Sequence, residues 1–250
     1  MKKLLIFLII VFSTQCLFSR VNFLEVYKPG IDIELLKPNS YGLAMDVTIG
    51  TGGKPEDSFE LPAIFTYGLA KRTELGMSLG IVSYASETGI SDLSIGAKYV
   101  FPIDIGFEFG FSLPTADYKK GLGTGGVGLT IDWFTKKKLN NIYGDILLGY
   151  RINTENPEEV KYGNEFLYIL GVEYPLQKYV DIFGELKGIN HAPLKVDGKN
   201  IKGSSYNELY IAPGVKYTAD KNFDFYSSLL FGLTDDSQDL IFSIGLIYKF

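Results

Sequence analysis

The sequence is poor in the residues from which metal and disulfide sites are usually made. Its 250 residues include one cysteine, Cys16, and one histidine, His191. A single cysteine excludes a disulfide framework, and the pair excludes a site built from several thiolates or imidazoles. No metal or cofactor is therefore expected. Basic residues are outnumbered as well: 24 Lys and Arg against 29 Asp and Glu leave a net charge of −5. That balance gives no electrostatic footprint for nucleic acid. No apolar run approaches the roughly twenty residues of a helical membrane span, so a membrane crossing would have to be made with strands.

What is abundant is glycine, phenylalanine and tyrosine, at 28, 18 and 17 residues. That mix suits many strands, tight turns and aromatic belts. Met1-Lys2-Lys3 followed by the apolar run Leu4 to Phe12 has the charged head and short apolar centre of a secretory signal peptide, assigned to residues 1–19 with cleavage after Ser19. Lipoprotein processing at Cys16 is the alternative, although Ser13-Thr14-Gln15 lacks the usual leucine and small residue before it. In residues 20–40, Ile31, Ile33 and Leu35 alternate with Asp32 and Glu34, bracketed by Pro29-Gly30 and Pro38. This segment reads as a periplasmic tether or a plug in a lumen, with an extra strand as the remaining option.

From Tyr41 to Phe250 the alternation becomes regular. Tyr41, Leu43, Met45, Val47 and Ile49 share one face; Gly42, Ala44, Asp46 and Thr48 share the other. About twelve such segments follow one another, near 41–49, 58–68, 73–84, 91–101, 103–113, 124–135, 142–152, 162–174, 178–190, 205–218, 222–233 and 239–250. Their apolar faces carry no Asp, Glu, Lys or Arg in this register, as a lipid-facing surface requires at about 2–4 kcal/mol per mid-bilayer charge. The expected fold is all-β: a transmembrane antiparallel up-and-down β-barrel of about twelve strands in a bacterial outer membrane. Short turns are expected at Ala70-Lys71-Arg72, Pro102, Lys136 to Asn141, Pro175-Leu176-Gln177 and Ala219-Asp220-Lys221, on the periplasmic side. Tyr41, Tyr67, Tyr99, Trp133, Tyr174, Tyr217 and Tyr248 then form an aromatic girdle at that rim. Pro62 and Pro213 each remove a ladder donor inside a strand, so bulges or register shifts are expected there.

The ending Ile244-Gly245-Leu246-Ile247-Tyr248-Lys249-Phe250 is an amphipathic strand closing on an aromatic residue. It resembles the signal read by the outer-membrane barrel assembly machinery, which makes that machinery an expected partner beside outer-membrane lipid. The inward parity collects charge. Asp46, Glu60, Asp92, Lys98, Glu108, Asp132, Glu185 and Lys216 are the expected pore-lining residues, and over the whole inner face acids outnumber bases. An acid-rich lumen focuses the field and favours cations.

Three stretches carry a family resemblance. Tyr67-Gly68-Leu69-Ala70-Lys71-Arg72-Thr73-Glu74-Leu75-Gly76 resembles a hairpin of the family called putative MetA-pathway of phenol degradation, a group of outer-membrane barrels. Gly89-Ile90-Ser91-Asp92-Leu93-Ser94-Ile95-Gly96-Ala97-Lys98-Tyr99 resembles its G-x-x-D-x-x-x-G-x-K-Y/F strand. Leu113-Pro114-Thr115-Ala116-Asp117 resembles its P-T-G-D loop, with Ala116 where glycine is usual. The resemblance implies a transporter or porin-like role for small solutes, hydrophobic or aromatic by family analogy. A structural or adhesive barrel is the alternative, its outer loops being short for adhesion. An outer-membrane hydrolase is the rival class. Its base would have to be His191, which reads as a solvated loop residue beside Ala192-Pro193 with no matching serine. Gly121-Leu122-Gly123-Thr124-Gly125-Gly126 lacks the Lys-Ser/Thr of a phosphate loop and reads as a flexible entry to a strand. No catalytic residue is expected.

Overall fold

The structure, a computed structural model, describes residues 35–52, 57–84 and 86–250. The leader and most of the 20–40 segment lie outside the described residues. Among the described residues no helix is long and apolar enough to cross a membrane. The crossing is made by twelve antiparallel strands. They are β1 (Tyr41–Thr51), β2 (Ser58–Ala70), β3 (Thr73–Tyr84), β4 in two pieces (Glu87–Ile90 and Leu93–Val100), β5 (Ile105–Leu113), β6 (Gly128–Leu139), β7 (Ile142–Asn153), β8 (Glu165–Gln177), β9 (Val180–His191), β10 (Tyr206–Thr218), β11 (Phe223–Gly232) and β12 (Leu240–Lys249). Each pairs with its neighbour in sequence, and β1 pairs with β12, so the sheet closes and no edge faces lipid.

Period-2 alternation decides which residue meets which medium. Met45, Ile49, Phe109, Phe111, Leu170, Val172, Phe231 and Ile244 stand exposed on the outside, while Asp46, Glu60, Glu108 and Asp132 are buried on the inner face. Lys137 is a charge on the outward parity, at the short-turn end of β6 where a lysine stem can reach the headgroup layer. Tyr41, Tyr99, Tyr174 and Tyr217 stand exposed at that same end, as an interfacial girdle would. The seam closes there. Tyr41 N–H donates to the Phe250 carbonyl at 2.7 Å and Phe250 N–H to the Tyr41 carbonyl at 2.8 Å, and the two rings stack with centroids 5.7 Å apart.

Strand ends differ from the sequence expectation in several places. β6 begins at Gly128 and runs on through Lys136–Leu139, pairing Lys136 with Asp145 where a turn was expected. Pro175-Leu176-Gln177 ends β8 rather than forming a turn, with a register shift between Pro175 and Gln177. Pro62 and Pro213 cost rungs rather than register. The β1–β2 ladder passes from Met45↔Ala63 to Thr48↔Glu60, skipping the Pro62 level, and β10–β11 passes from Ile211↔Phe231 to Gly214↔Ser228. On the opposite flank each proline stays in register, Pro62 against Gly80 and Pro213 against Gly184. A missing N–H thus deletes the bonds it would have made and leaves the parity of both faces intact.

Candidate functional site

The inner face carries two kinds of surface. One is a charged row. Lys98 on β4 stands opposite Glu74 on β3 and Glu108 on β5, and Glu108 stands opposite Asp132 on β6. Asp132 faces a gap at Gly149, and two residues nearer the outer end Arg151 on β7 stands opposite Glu165 on β8, with Glu165 opposite His191 on β9. The gap is needed: a Cβ on Gly149 would lie 2.3 Å from the Asp132 carboxylate. The other surface is apolar, a buried cluster of Val100, Phe134, Leu147, Leu167, Ile169 and Ile189. The two meet at Lys98, whose ammonium lies 4.8 Å from the centre of the Phe134 ring.

The eight residues singled out from the sequence all project from the inner side of the wall or its outer edge. Asp46 accepts from Ser243 Oγ at 3.0 and 2.9 Å, and Glu60 accepts from the Tyr84 hydroxyl. Lys216 pairs with Glu173 and Asp181, each at 3.0 Å. Glu185 is half-buried and stands opposite Gly171 and Ala212. Glu108, Asp132 and Lys98 belong to the charged row. Asp92 is different. It sits at the break in β4, where the register changes by one residue, a bulge that re-aims its side chain. Its carboxylate accepts the backbone N–H groups of Ala116 at 3.0 Å and Thr124 at 3.3 Å.

Those two bonds hold residues 114–127 inside the outer mouth. Asp117 caps a short 3₁₀ turn, Tyr118–Lys120, which ends on Gly121 at φ 73°, and Leu122 is buried against Val82, Tyr84 and Ala116. Gly123 is a packing position, since a Cβ there would come within 2.6 Å of Ala116 Cβ and 2.7 Å of Asp92 Oδ1. The sequence reading of a flexible loop is thereby corrected. Asp92→Ala would remove both acceptors, each worth about 1.5–3 kcal/mol where the acceptor is charged. Trypsin should then cut the folded barrel at Lys119 or Lys120 at least tenfold faster than in the parent protein. Equal cutting rates would show that the Leu122 contacts alone hold the loop.

His191 is also corrected. It is a buried strand residue at 5% exposure, with Nε2 3.1 Å from Glu208 Oε1 and its ring stacked on Tyr206 at 4.1 Å. It lines a cavity of about 20 Å³ together with Tyr162, Gly163, Glu165, Ala192, Leu194, Ser204 and Tyr206. That is room for little more than a water molecule. The Ser204 hydroxyl in the same cavity donates to the Ile201 carbonyl at 2.7 Å and accepts from Leu194 N–H at 2.9 Å. Above it, Val160–Lys161, Lys195–Val196 and Lys199–Asn200 form a small three-stranded sheet over the outer end. Among the described residues no group of three or more His, Cys, Asp or Glu side chains is placed to hold a metal.

Two further residues matter that the sequence reading misplaced or passed over. Lys136, assigned to a turn, reaches Glu173 at 2.8 Å on the inner face. Gln238 of the last outer loop is 1% exposed and bonds Ser58 Oγ at 3.1 Å through its amide nitrogen. Asp104 and Asp239 move the other way. Both have the inward parity of the strands expected at 103–113 and 239–250, and both are exposed on connections.

A family model, described as putative MetA-pathway of phenol degradation, matches residues 40–250. No curated protein matches the sequence. Among solved structures, the COG4313 outer membrane channel from Pseudomonas putida F1 superposes with a TM-score of 0.73 at 14% identity, over 89% of this chain and 99% of that one. The NanC porin superposes at 0.59 with 10% identity, over 83% and 100%. The KdgM porin, solved with a disordered oligogalacturonate, superposes at 0.50 with 14% identity, over 84% and 99%. At these identities the likeness is one of fold: a closed outer-membrane barrel.

Proposed function

The chain belongs to the putative MetA-pathway of phenol degradation family, and from that membership we propose that this outer-membrane β-barrel is a channel for small solutes. The observation that carries the reading is the division of the closed wall into an apolar outside and a charged inside. Lipid selects the first, and the second suits a water-filled path through the wall's interior. On this reading Asp46, Glu60, Asp92, Lys98, Glu108, Asp132, Glu185 and Lys216 line the path. Acid still exceeds base on the inner face after Asp104 and Asp239 are taken off it and Lys136 is added.

The solute class we favour is small and partly hydrophobic or aromatic. The support is the family description together with the apolar strip of Phe134, Leu147, Leu167, Ile169 and Ile189 beside Lys98. An aromatic solute would find there a ring partner and a cation at one level of the tube. The protein acts without catalysis on this reading. His191 is engaged with Glu208, the neighbouring Ser204 hydroxyl is committed to backbone, and their shared cavity is far too small for an acyl or peptide substrate.

A second reading is a structural barrel. What favours it is the tight outer mouth, where residues 114–127, the small sheet and Gln238 pack over the inner face. Planar-bilayer recording of the purified protein separates the two. Discrete openings, partly blocked by a small aromatic solute added to one side, are the expected result. Folded, heat-modifiable protein that stays electrically silent would support the structural barrel and end the channel reading.

A further inference from the structure

Glycines of the twelve strands face almost entirely inward. Among the described residues, Gly144, Gly184 and Gly188 are the ones in outward positions. Gly188 is covered by its neighbour, since a Cβ there would lie 2.1 Å from Cζ of the Tyr168 ring. The other two are open: a Cβ on Gly184 would meet no atom within 4 Å, and one on Gly144 would meet Leu139 Cδ1 at 3.7 Å. Both lie in one outward row, which the ladders run from Lys137 on β6 through Gly144, Val172 and Gly184 to Pro213 on β10. Ile146, Leu170 and Leu186 stand one outward position nearer the bilayer centre. Ile142, Tyr174 and Ile182 stand one position nearer the short turns. The row is therefore the floor of an apolar groove between two ridges.

From this groove we propose a binding site for an anionic phospholipid of the periplasmic leaflet. One acyl chain lies over Gly144, Val172 and Gly184, and the phosphate meets the Lys137 ammonium. The groove has the slope such a lipid needs. Lys137 is two residues from the short-turn end of β6 at Leu139, whereas Pro213 is five from that of β10 at Thr218. Its four strand spacings of about 4.8 Å make roughly 19 Å, against about 15 Å for one leaflet of a 30 Å core. The class of occupant follows from where the groove lies, on the wall of an outer-membrane barrel at the end of its short, periplasmic turns. Charge then selects the headgroup. Among the described residues Lys137 is the one charge on the outward parity of the twelve strands, and it is exposed. The short connections of the same rim carry Lys71, Arg72, Lys178 and Lys221 against Asp104 and Asp220, a surface that attracts anionic lipid. The site goes beyond the channel reading and would stand in a barrel that conducts nothing.

The chain's one tryptophan, Trp133, shares the outward face of β6 four residues from Lys137 and reports on the lipid beside it. The full-length barrel is reconstituted with brominated phosphatidylglycerol or brominated phosphatidylcholine, and quenching of Trp133 gives their relative affinity. Phosphatidylglycerol should be favoured about fivefold, as one lysine at an anionic surface allows. Lys137→Gln should bring the ratio close to one, and Lys137→Arg should keep it. Gly184→Leu fills the floor without altering charge and should lower the ratio at least twofold. Both positions face lipid, so the heat-shift of the folded band on a gel should match the parent in every variant. Equal quenching of the parent by the two lipids would overturn the proposal. A preference unchanged in Lys137→Gln would overturn the headgroup contact, and one unchanged in Gly184→Leu would overturn the groove. A dimeric parent that Gly184→Leu makes monomeric would give the groove to a second copy of the chain and overturn the lipid site.

Discussion

Removing Tyr248, Lys249 and Phe250 should leave almost no heat-modifiable barrel in the outer membrane. The three residues carry the last rungs of the closing seam: the paired backbone bonds between Tyr41 and Phe250, then Gly42↔Lys249 and Leu43↔Tyr248. They also carry an aromatic stack. Tyr248 lies 4.4 Å from Phe223 and 5.3 Å from Phe250, and Phe250 lies 5.7 Å from Tyr41, which continues to Tyr67 at 5.1 Å. At about 1 kcal/mol per hydrogen bond and about 0.5–1.5 kcal/mol per ring pair, the loss is several kcal/mol. That is a large share of a typical stability of about 5–15 kcal/mol. It also unpairs one end of β1 next to lipid, where unsatisfied backbone groups cost most. The heat-shift of the folded band on a gel measures the outcome in cells. Refolding the same truncated chain into vesicles without the assembly machinery separates two causes. Failure there as well assigns the defect to the seam, whereas success there with failure in cells assigns it to recognition of Phe250. Unchanged yield in both settings would make the ending incidental.

The lipid face was legible because a two-residue period is strict. Once Ile105, Phe107, Phe109 and Phe111 are set outward, Glu108 must point in, and every strand repeats the constraint. Strand ends were not legible where both parities are polar. Lys136-Lys137-Lys138 offers no apolar face to count, so β6 looked finished four residues too soon. His191 was misread for a related reason. Ala192-Pro193 punctuates the chain just after it, but the strand runs up to the punctuation, and the burial comes from Tyr206 and Glu208 on the neighbouring strand. The inward fold of residues 114–127 depends on contacts with no local signature. Glycine at 123 signals only permissiveness; that it permits approach to Ala116 and Asp92 is a fact of tertiary structure. Asp92 is conspicuous in the sequence as an inward-facing acid, but its bonds to the Ala116 and Thr124 N–H groups have no signature there. The expected acid excess of the inner face sums over many strands, so taking Asp104 and Asp239 off it and adding Lys136 changes the expectation only slightly.

That composition leads to the second large expected effect. Under a salt gradient the channel should give a reversal potential of cation-selective sign, bounded by the limit of about 59 mV per tenfold gradient for a perfectly selective univalent pore. Glu108 and Glu185 are the positions to test. Glu108 stands opposite one base, Lys98, but also opposite a second acid, Asp132. Glu185 stands opposite Gly171 and Ala212 on its two neighbouring strands. Glu108→Gln together with Glu185→Gln keeps side-chain shape and removes charge, so the barrel should fold and the reversal potential should move toward zero. Raising the ionic strength should produce the same movement in the parent protein, as the Debye length falls from about 10 Å at 0.1 M to about 3 Å at 1 M. A potential of anion-selective sign would mean that Lys98, Lys136, Arg151, Lys187 and Lys216 govern the path, and that the acids opposite them are neutralised within the wall. A cation preference unchanged in the double variant would place the selective level elsewhere, at Asp46 and Glu60 on the far side of the tube.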